Sequence, residues 1–209
     1  MSGSDGSRVT QSKDHIELYC RCISEMKWRS DFIRESWVTP ATNTDRSVLY
    51  LEGACLQLRT IIELIAFASL VSSQEAYSRE WSNYARANDF TKLIKSLRAI
   101  NPHFLPTGVK FLGRDASGSL QMRDADVQLD EDILVSAHGR MGNVVHAQNP
   151  FKPRMDYEQH RVILASTMNH LIAAMQNHVA ILSDGTHLLI QMGANDELIR
   201  PTVLREAIA

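Results

Sequence analysis

A proline-free stretch over residues 45–85 constrains the fold of this chain more than any other feature of the sequence. It contains the run IIELIAFASLV, and its apolar side chains fall on most sides of a helix with about 3.6 residues per turn. Such a helix must be covered by neighbouring elements on several faces. Because the apolar run is too short to span a bilayer and contains Glu63, we predict a central helix of a soluble domain.

Apolar residues at spacings of three and four predict further helices on both sides of this central helix. The first covers 12–38, with one face formed by Ile16, Tyr19, Cys20, Ile23 and Met26. Others are expected over 90–100, 129–148 and 154–178, the last with the stripe Leu164, Met168, Leu171, Met175 and Val179. His178 ends that helix and is expected to face solvent or to cap it. The predicted fold class is mainly α, an antiparallel bundle of four or five helices with a small C-terminal β-hairpin.

The remaining segments carry loop or turn signals. The polar start is rich in Gly and Ser, as in a disordered leader, and 103–128 contains Pro and several Gly, typical of an irregular loop or a small hairpin. Two apolar runs around Asp184-Gly185 predict a β-hairpin over 179–193. The predicted organisation is a leader (1–11), a helical bundle (12–180) containing the 103–128 insert, and a hairpin appendage with a tail (181–209).

Net charge and cysteine content limit the function classes. A formal net charge of −2 gives no global attraction to nucleic acid or to an anionic membrane, so an anionic partner must be held by a local basic site. Cys20, Cys22 and Cys55 form no CxxC pair, which predicts free thiols in a reducing compartment and a cytoplasmic protein. No residue cluster has metal-ligand spacing, so we expect neither a metal nor another cofactor.

The segment HGRMGNVVHAQNP, residues 138–150, combines polar side chains with apolar residues at helical spacing. On a helix, Asn143 lies about 60° from Arg140 and about 60° from His146, so the three residues form one polar sector. The apolar residues between them can pack on the other side. Gly142 lacks a Cβ and would let another group approach the helix closely.

These residue types suit chemistry at a phosphodiester. A guanidinium can hold two phosphate oxygens at once, and an imidazole can take or give a proton near neutral pH. In RNA, the adjacent 2′-hydroxyl is an internal nucleophile that needs only a base and stabilisation of the developing charge. No metal ion is required by this scheme. Spacing alone does not establish catalysis, because a lone histidine in a helix is more often structural.

A second polar stripe lies on the central helix, where Glu52, Arg59 and Glu63 share one face of an otherwise apolar segment. Arg59 and Glu63 form either a helix-surface ion pair, worth about 0.3–0.5 kcal/mol, or a buried pair directed at a polar site. The Arg-before-Glu order is the less favourable one for a helix and mildly favours the site. His138 is expected to face largely away from Arg140 unless the helix breaks.

The segment GRMGNVVHAQNPF, with Arg-x5-His followed by Asn-Pro, resembles the HEPN superfamily (higher eukaryotes and prokaryotes nucleotide-binding domain). The hallmark of that superfamily is Arg-x4–6-His on a helix of a small helical bundle. LQLRTIIELIAF looks like the earlier helix, which often supplies a charged residue to the same site. The resemblance covers about residues 12–180. It departs from the family at Met141, where a polar residue often follows the arginine.

The resemblance implies a metal-independent endoribonuclease, a toxin or anti-phage defence effector that cleaves RNA by attack of the 2′-hydroxyl. It also implies a homodimer with a composite site, and an antitoxin or a defence-complex protein as a further partner. Arg140 and His146 would be catalytic, and Asn143 would orient the phosphate beside them. The resemblance and the polar stripe together assign supporting roles to Glu63, Arg59, His138 and Asn149.

A non-catalytic HEPN-like dimer is the alternative interpretation. The Arg140 motif would then be a buried hydrogen-bonded network that fixes the dimer, and the protein would be a binding or regulatory subunit of a defence or toxin–antitoxin complex. The predicted hairpin fits this alternative, because an exposed strand edge can pair with another chain.

Overall fold

The computed structural model describes residues 4–37, 45–72, 89–146, 149–151, 153, 155–182, 185–194 and 197–204. Within these ranges the chain forms five helices and five strands. The helices are α1 (Ser4–Trp37), α2 (Asp45–Ser72), α3 (Phe90–Ile100), α4 (Glu131–Val145) and α5 (Tyr157–Met175). The strands are β1 (Thr107–Arg114), β2 (Leu120–Asp124), β3 (Asn177–Ile181), β4 (His187–Gln191) and β5 (Arg200–Leu204).

α2 is the central helix, and it contacts each of the other four described helices. Its fully buried side chains include Leu58, Ile61, Ile62 and Ile65. Full burial of an aliphatic side chain stabilises the fold by about 1.5–3 kcal/mol, so this packing fixes the helices that carry the candidate site residues. The prediction of a mainly helical protein is confirmed.

α2 is also the one described helix that is long and apolar enough to cross a membrane. Over Arg46–Ser72 the mean hydropathy of its most apolar window is 1.7, and 61% of that window is buried inside the fold. Burial of this extent is typical of the core helix of a soluble protein. The structure is thus compatible with a soluble protein.

Aspartate caps fix the starts of the two helices that pack beside the site. Asp89 accepts hydrogen bonds from the backbone N–H groups of Thr91 and Lys92 in α3, and Asp130 accepts one from Ile133 in α4. These N–H groups have no partner within a helix, so the caps stabilise both starts. The register in which α3 and α4 meet α2 follows from where they begin.

All five described strands belong to one antiparallel sheet in the order β2-β1-β3-β4-β5. The predicted hairpin is β3–β4, and Gly185 in its turn has the positive φ, 81°, that favours glycine. β1 joins β3 through the pairs Thr107↔Val179 and Gly108↔His178. A Cβ on Gly108 would lie 2.7 Å from the backbone oxygen of Ala174, so glycine lets β1 lie close to α5.

The sheet is larger than the small C-terminal hairpin that we predicted. The 103–128 insert supplies β1 and β2, and the C-terminal segment supplies β5 at one edge. The predicted boundary between a bundle ending at residue 180 and an appendage starting at residue 181 falls inside β3. Strands that pair across a long stretch of chain leave no local pattern, so the sequence did not indicate that they form one sheet.

The predicted start of α1 and the predicted end of α5 need correction, and the predicted end of α2 lies outside the described residues. α1 begins at Ser4, so 4–11 is helical rather than part of a disordered leader; no proline in this segment stops the helix from extending. α5 ends at Met175, which places His178 in β3, where it is buried and not solvent-facing. The predicted continuation of α2 to residue 85 lies outside the described residues.

Candidate functional site

α4 distributes the predicted site residues over two faces. Met141 and Val144 are buried in the core that α4 shares with α2. Arg140 and Asn143 are exposed to solvent. We call the exposed side, with Arg140, Asn143 and the following His146, the outer face, and the side packed against α2 the inner face.

Arg140 lines a groove of about 380 Å³ between α4 and α5. Asp132 and Ser136 line it from α4, and Ser166 and Thr167 line it from α5. Asp132 and Arg140 are about 12 Å apart along the helix axis, so the charges stand at opposite ends with hydroxyl groups between them. Arg140 is the one cation among the described lining residues, which makes its end of the groove suited to an anionic group.

His146 does not lie within the helix as predicted. α4 ends at Val145, and His146 is the C-cap residue with an extended backbone at φ −96° and ψ 146°. Asn149-Pro150 follows closely, and proline disfavours helix in the residue before it. The predicted polar sector on the helix therefore contains only Arg140 and Asn143, while His146 is exposed just beyond the carboxyl end of α4.

The polar side chains of the outer face have no partner in the part of the chain that the structure describes. The side chains of Arg140, Asn143 and His146 form no hydrogen bond or ion pair with any other described residue. Exposed polar groups without internal partners are bound to water and can exchange it for a ligand. The outer face can therefore offer a guanidinium, an amide and an imidazole to one bound molecule.

Asn149 shapes a turn after His146. Its Oδ1 accepts a hydrogen bond from the backbone N–H of Phe151 at 3.0 Å, so this part of the side chain supports the local backbone. The ring of Phe151 is 95% exposed. An exposed aromatic ring can stack on an unpaired base or pack against a partner, and the sequence analysis did not single this residue out.

The inner face carries a second polar group, which α2 and α4 assemble. Oε1 of Glu63 accepts hydrogen bonds from Nε2 of His138 at 2.8 Å and from Nε of Arg59 at 3.3 Å. The bond from His138, and then the one from Arg59, hold the pKa of the Glu63 carboxyl below its usual value despite partial burial. Because an ionised carboxylate can only accept, the hydrogen in the His138–Glu63 bond belongs to Nε2.

The imidazole of His138 is held in place from two sides. Its ring stacks on Phe90 of α3 with a centroid distance of 4.2 Å and an interplanar angle of 19°. Only 10% of the His138 side chain is exposed, compared with 34% of Glu63. α2, α3 and α4 thus converge on one imidazole whose orientation is fixed by a carboxylate and an aromatic ring. Carboxylate–imidazole pairs of this kind orient general bases in many enzymes.

Gly142 is the point at which Arg59 reaches α4. A Cβ on Gly142 would lie 2.9 Å from Nη1 of Arg59, so the guanidinium rests on the backbone of the last turn of the helix. The close approach predicted at Gly142 is therefore made by a side chain of α2. A cation at this turn also meets the negative end of the helix dipole, which is favourable.

The predicted site residues accordingly form two groups. Glu63 binds Arg59 and His138, and neither of its bonds involves Arg140. The sequence analysis did not single out the ring of Phe90 or the hydroxyl groups of the groove. Nothing in the sequence indicates which helices pack together, and these groups come near the site only through that packing. The spacing of Arg59 and Glu63 in an apolar helix was the signal that pointed to the inner group.

Among the described residues, no group of three or more His, Cys, Asp or Glu side chains is arranged to hold a metal ion.

Comparisons with protein families, with curated proteins and with solved structures give no match for this chain.

Proposed function

We propose that this protein is a metal-independent endoribonuclease of the HEPN type, a bacterial toxin or anti-phage defence effector that acts in the cytoplasm. One observation carries the proposal: a guanidinium, an amide and an imidazole are exposed on the outer face and have no partner among the described residues. In the described residues, by contrast, every buried side-chain nitrogen and oxygen has a hydrogen-bond partner. A polar set that does not serve the fold is available for a ligand.

The chemistry follows from the three side chains. His146 takes the proton of the 2′-hydroxyl, O2′ attacks phosphorus, and the bond from phosphorus to O5′ breaks. Arg140 donates two hydrogen bonds to phosphate oxygens, which stabilises the charge of the phosphorane, while the amide of Asn143 orients the phosphate. The departing 5′-oxygen takes a proton from water, and His146 then releases to solvent the proton that it took from the 2′-hydroxyl. The products are a 2′,3′-cyclic phosphate and a 5′-hydroxyl.

A homodimer would complete this site. Arg140 and His146 are about 9 Å apart along the helix axis, which is long for two groups that act on one phosphodiester. A twofold axis that opposes two outer faces would bring Arg140 of one protomer towards the partner's His146. The proposal therefore includes a composite site shared by two chains, with RNA as the substrate and an antitoxin or a defence-complex protein as a further partner.

The test is RNA cleavage in the presence of EDTA by wild type and by His146→Ala. We expect loss of a general base to lower the cleavage rate by about 10²–10⁴-fold. The unfolding midpoint should not change, because His146 is exposed and contacts no described residue through a hydrogen bond or ion pair. End-group analysis should find cyclic phosphates. RNA that both proteins leave equally intact, with the dimer formed, would exclude the enzyme.

A non-catalytic dimeric subunit is the second candidate, and exposed apolar side chains favour it. Leu49 and Leu56 of α2 are 65% and 49% exposed, and the ring of Phe32 lies over Gly53 between them. Trp28, one turn before Phe32, extends this surface. Apolar patches of this kind are typical of partner contacts. Absence of cleavage, together with a shift from dimer to monomer in sedimentation for Arg140→Ala, would favour this candidate.

A further inference from the structure

The groove between α4 and α5 presents three kinds of group in a fixed order. Arg140 supplies a guanidinium at one end, and Asp132 supplies a carboxylate at the other, about 12 Å away along the axis of α4. Between them, Ser136, Ser166 and Thr167 supply hydroxyl groups. A ligand that fills the groove therefore meets a cation, then neutral donors and acceptors, and then an anion.

Apolar side chains complete the middle of the groove. Ile133 and Ala137 line it from α4, and Ile163 lines it from α5. Ile133 is 39% exposed, although burial of an isoleucine side chain is favourable. Such side chains can pack against a flat ring, while the hydroxyl groups beside them bind polar atoms of the same ligand.

The three acidic residues around the start of α4 differ in what they bind. Asp130 caps the helix by accepting a hydrogen bond from the backbone N–H of Ile133. The carboxylate of Glu131 accepts one from Nε of Arg98 in α3. Asp132 forms no hydrogen bond or ion pair with any described residue and is exposed in the groove. Its two carboxylate oxygens are therefore available to N–H groups of a ligand.

The order of these groups matches the order of the parts of a nucleotide. A phosphate suits the guanidinium, ribose suits the hydroxyl groups, and a base suits the apolar side chains with its polar edge towards the carboxylate. Guanine carries two adjacent donors on its Watson–Crick edge, N1–H and N2–H, which can bind both oxygens of one carboxylate. Adenine, cytosine and uracil have no such pair. The groove volume of about 380 Å³ is within the range of about 300–1,000 Å³ that is typical of sites for small organic ligands.

We propose that this groove binds a guanine nucleoside next to the scissile phosphate, and that Asp132 selects the base. The assignment rests on the proposed ribonuclease function and leaves the scissile phosphate on Arg140. It adds a substrate class, RNA with guanosine beside the cleaved bond. It also adds a specificity-determining residue that lies about two turns of α4 away from the phosphate. No bond of the base is made or broken.

Sequencing of the ends that wild type produces from RNA of random sequence, in the presence of EDTA, tests the selectivity. We expect cleavage beside guanosine to be about 10–100-fold more frequent than beside other nucleosides, the discrimination that one paired set of hydrogen bonds to a base provides. Asp132→Asn keeps the shape of the side chain but replaces one acceptor with a donor, so it should reduce this preference at least about 10-fold. Guanosine at the cyclic-phosphate end or at the 5′-hydroxyl end shows which side of the scissile phosphate the groove holds.

The matched control is Glu131→Gln, which removes the same charge from the neighbouring residue in the same turn. Glu131 binds Arg98 and is not among the described residues that line the groove, so the preference for guanosine should equal that of wild type. Cleavage without a base preference would overturn the assignment. So would a preference that Asp132→Asn retains, or one that Glu131→Gln loses equally.

Calorimetric titration of the 3′- and 5′-monophosphates of guanosine, inosine and adenosine distinguishes failure of this assignment from failure of the ribonuclease function. Inosine keeps N1–H but lacks the N2 amino group, so affinity should fall about 10-fold from guanosine to inosine and further for adenosine. Asp132→Asn should remove the difference between guanosine and inosine. If wild type cleaves no RNA but shows this order, the ribonuclease function fails and the groove assignment stands. In a protein that cleaves no RNA, equal affinities or an absence of binding would refute the groove assignment as well.

Discussion

The two faces of α4 use the same kinds of side chain in opposite ways. On the inner face, Glu63 binds both Arg59 and His138, and His138 stacks on Phe90. On the outer face, the side chains of Arg140, Asn143 and His146 bind no other described residue. Polar groups that are buried must be paired, because an unpaired one costs about 1–3 kcal/mol. The comparison teaches that pairing on the inner face contributes to stability, whereas none of the described residues gives the outer-face groups such a role.

Substitutions at Met141 and Arg140 should give the largest difference in the free energy of unfolding. Met141 is fully buried and Arg140 is exposed, although they are neighbours in the chain. Met141→Ala should lower the free energy of unfolding by about 2–5 kcal/mol through lost burial and a cavity. Arg140→Ala should change it by less than about 0.5 kcal/mol. Urea denaturation followed by circular dichroism measures both, and similar losses would remove the distinction between the faces.

The buried His178 extends the comparison to pH. Its Nδ1 donates to the backbone oxygen of Met175 at 2.8 Å, so Nε2 must accept the hydroxyl hydrogen of Tyr19 at 2.9 Å. Burial lowers the pKa of His178 from 6.5 to about 4. Between pH 6.5 and pH 4, the imidazole of His178 is therefore protonated in the unfolded chain but neutral in the folded chain. Stability should fall as pH drops from 6.5 to 4, by up to roughly 3 kcal/mol.

Two variants check the origin of this acid sensitivity in urea titrations at several pH values. His178→Gln removes the titrating group and should flatten the dependence between pH 6.5 and 4. Tyr19→Phe removes the hydroxyl but leaves the imidazole buried, so the dependence should remain while overall stability is lower. A slope that persists in His178→Gln would assign the acid sensitivity to other groups.

Variants of Glu63 should give the smallest change in stability, and they distinguish the hydrogen bond to His138 from the charge interaction with Arg59. Glu63→Ala leaves Nε2 of the nearly buried His138 without its acceptor and should cost about 1–3 kcal/mol. Glu63→Gln retains an acceptor oxygen and should cost less than Glu63→Ala, because the Arg59–Glu63 pair is partly exposed and its charge interaction is weak. Thermal unfolding of the two variants measures the difference. Equal losses would mean that charge, rather than the hydrogen bond, holds the inner face together.

The helices were predictable because their cause is local. The three-and-four spacing of Leu164, Met168 and Leu171 marked α5, and all three are buried. The Asp184-Gly185 signal marked the hairpin β3–β4 for the same reason. The pairing of β1 with β3 was not predictable, because it joins Gly108 to His178 across two helices and has no signature within either segment.

The candidate site also has a part that the sequence could predict and a part that it could not. Helical projection could group Arg140 with Asn143, since both lie within two turns of one helix. It could not place His146, because the end of α4 depends on how the following segment leaves the bundle. Nor could it show that Glu63 meets His138, a contact that requires α2 and α4 to be packed. Whether Arg140 and His146 cleave RNA stays a prediction.

The strand order β2-β1-β3-β4-β5 has a consequence for synthesis on the ribosome. β1 and β2 emerge before α4 and α5, whereas the partner for the open side of β1 emerges only afterwards. Until then the nascent hairpin presents unpaired backbone groups that can template aggregation. A premature stop codon within α5 would release such a chain permanently, so truncated products should be substrates for chaperones and proteases rather than partially working proteins.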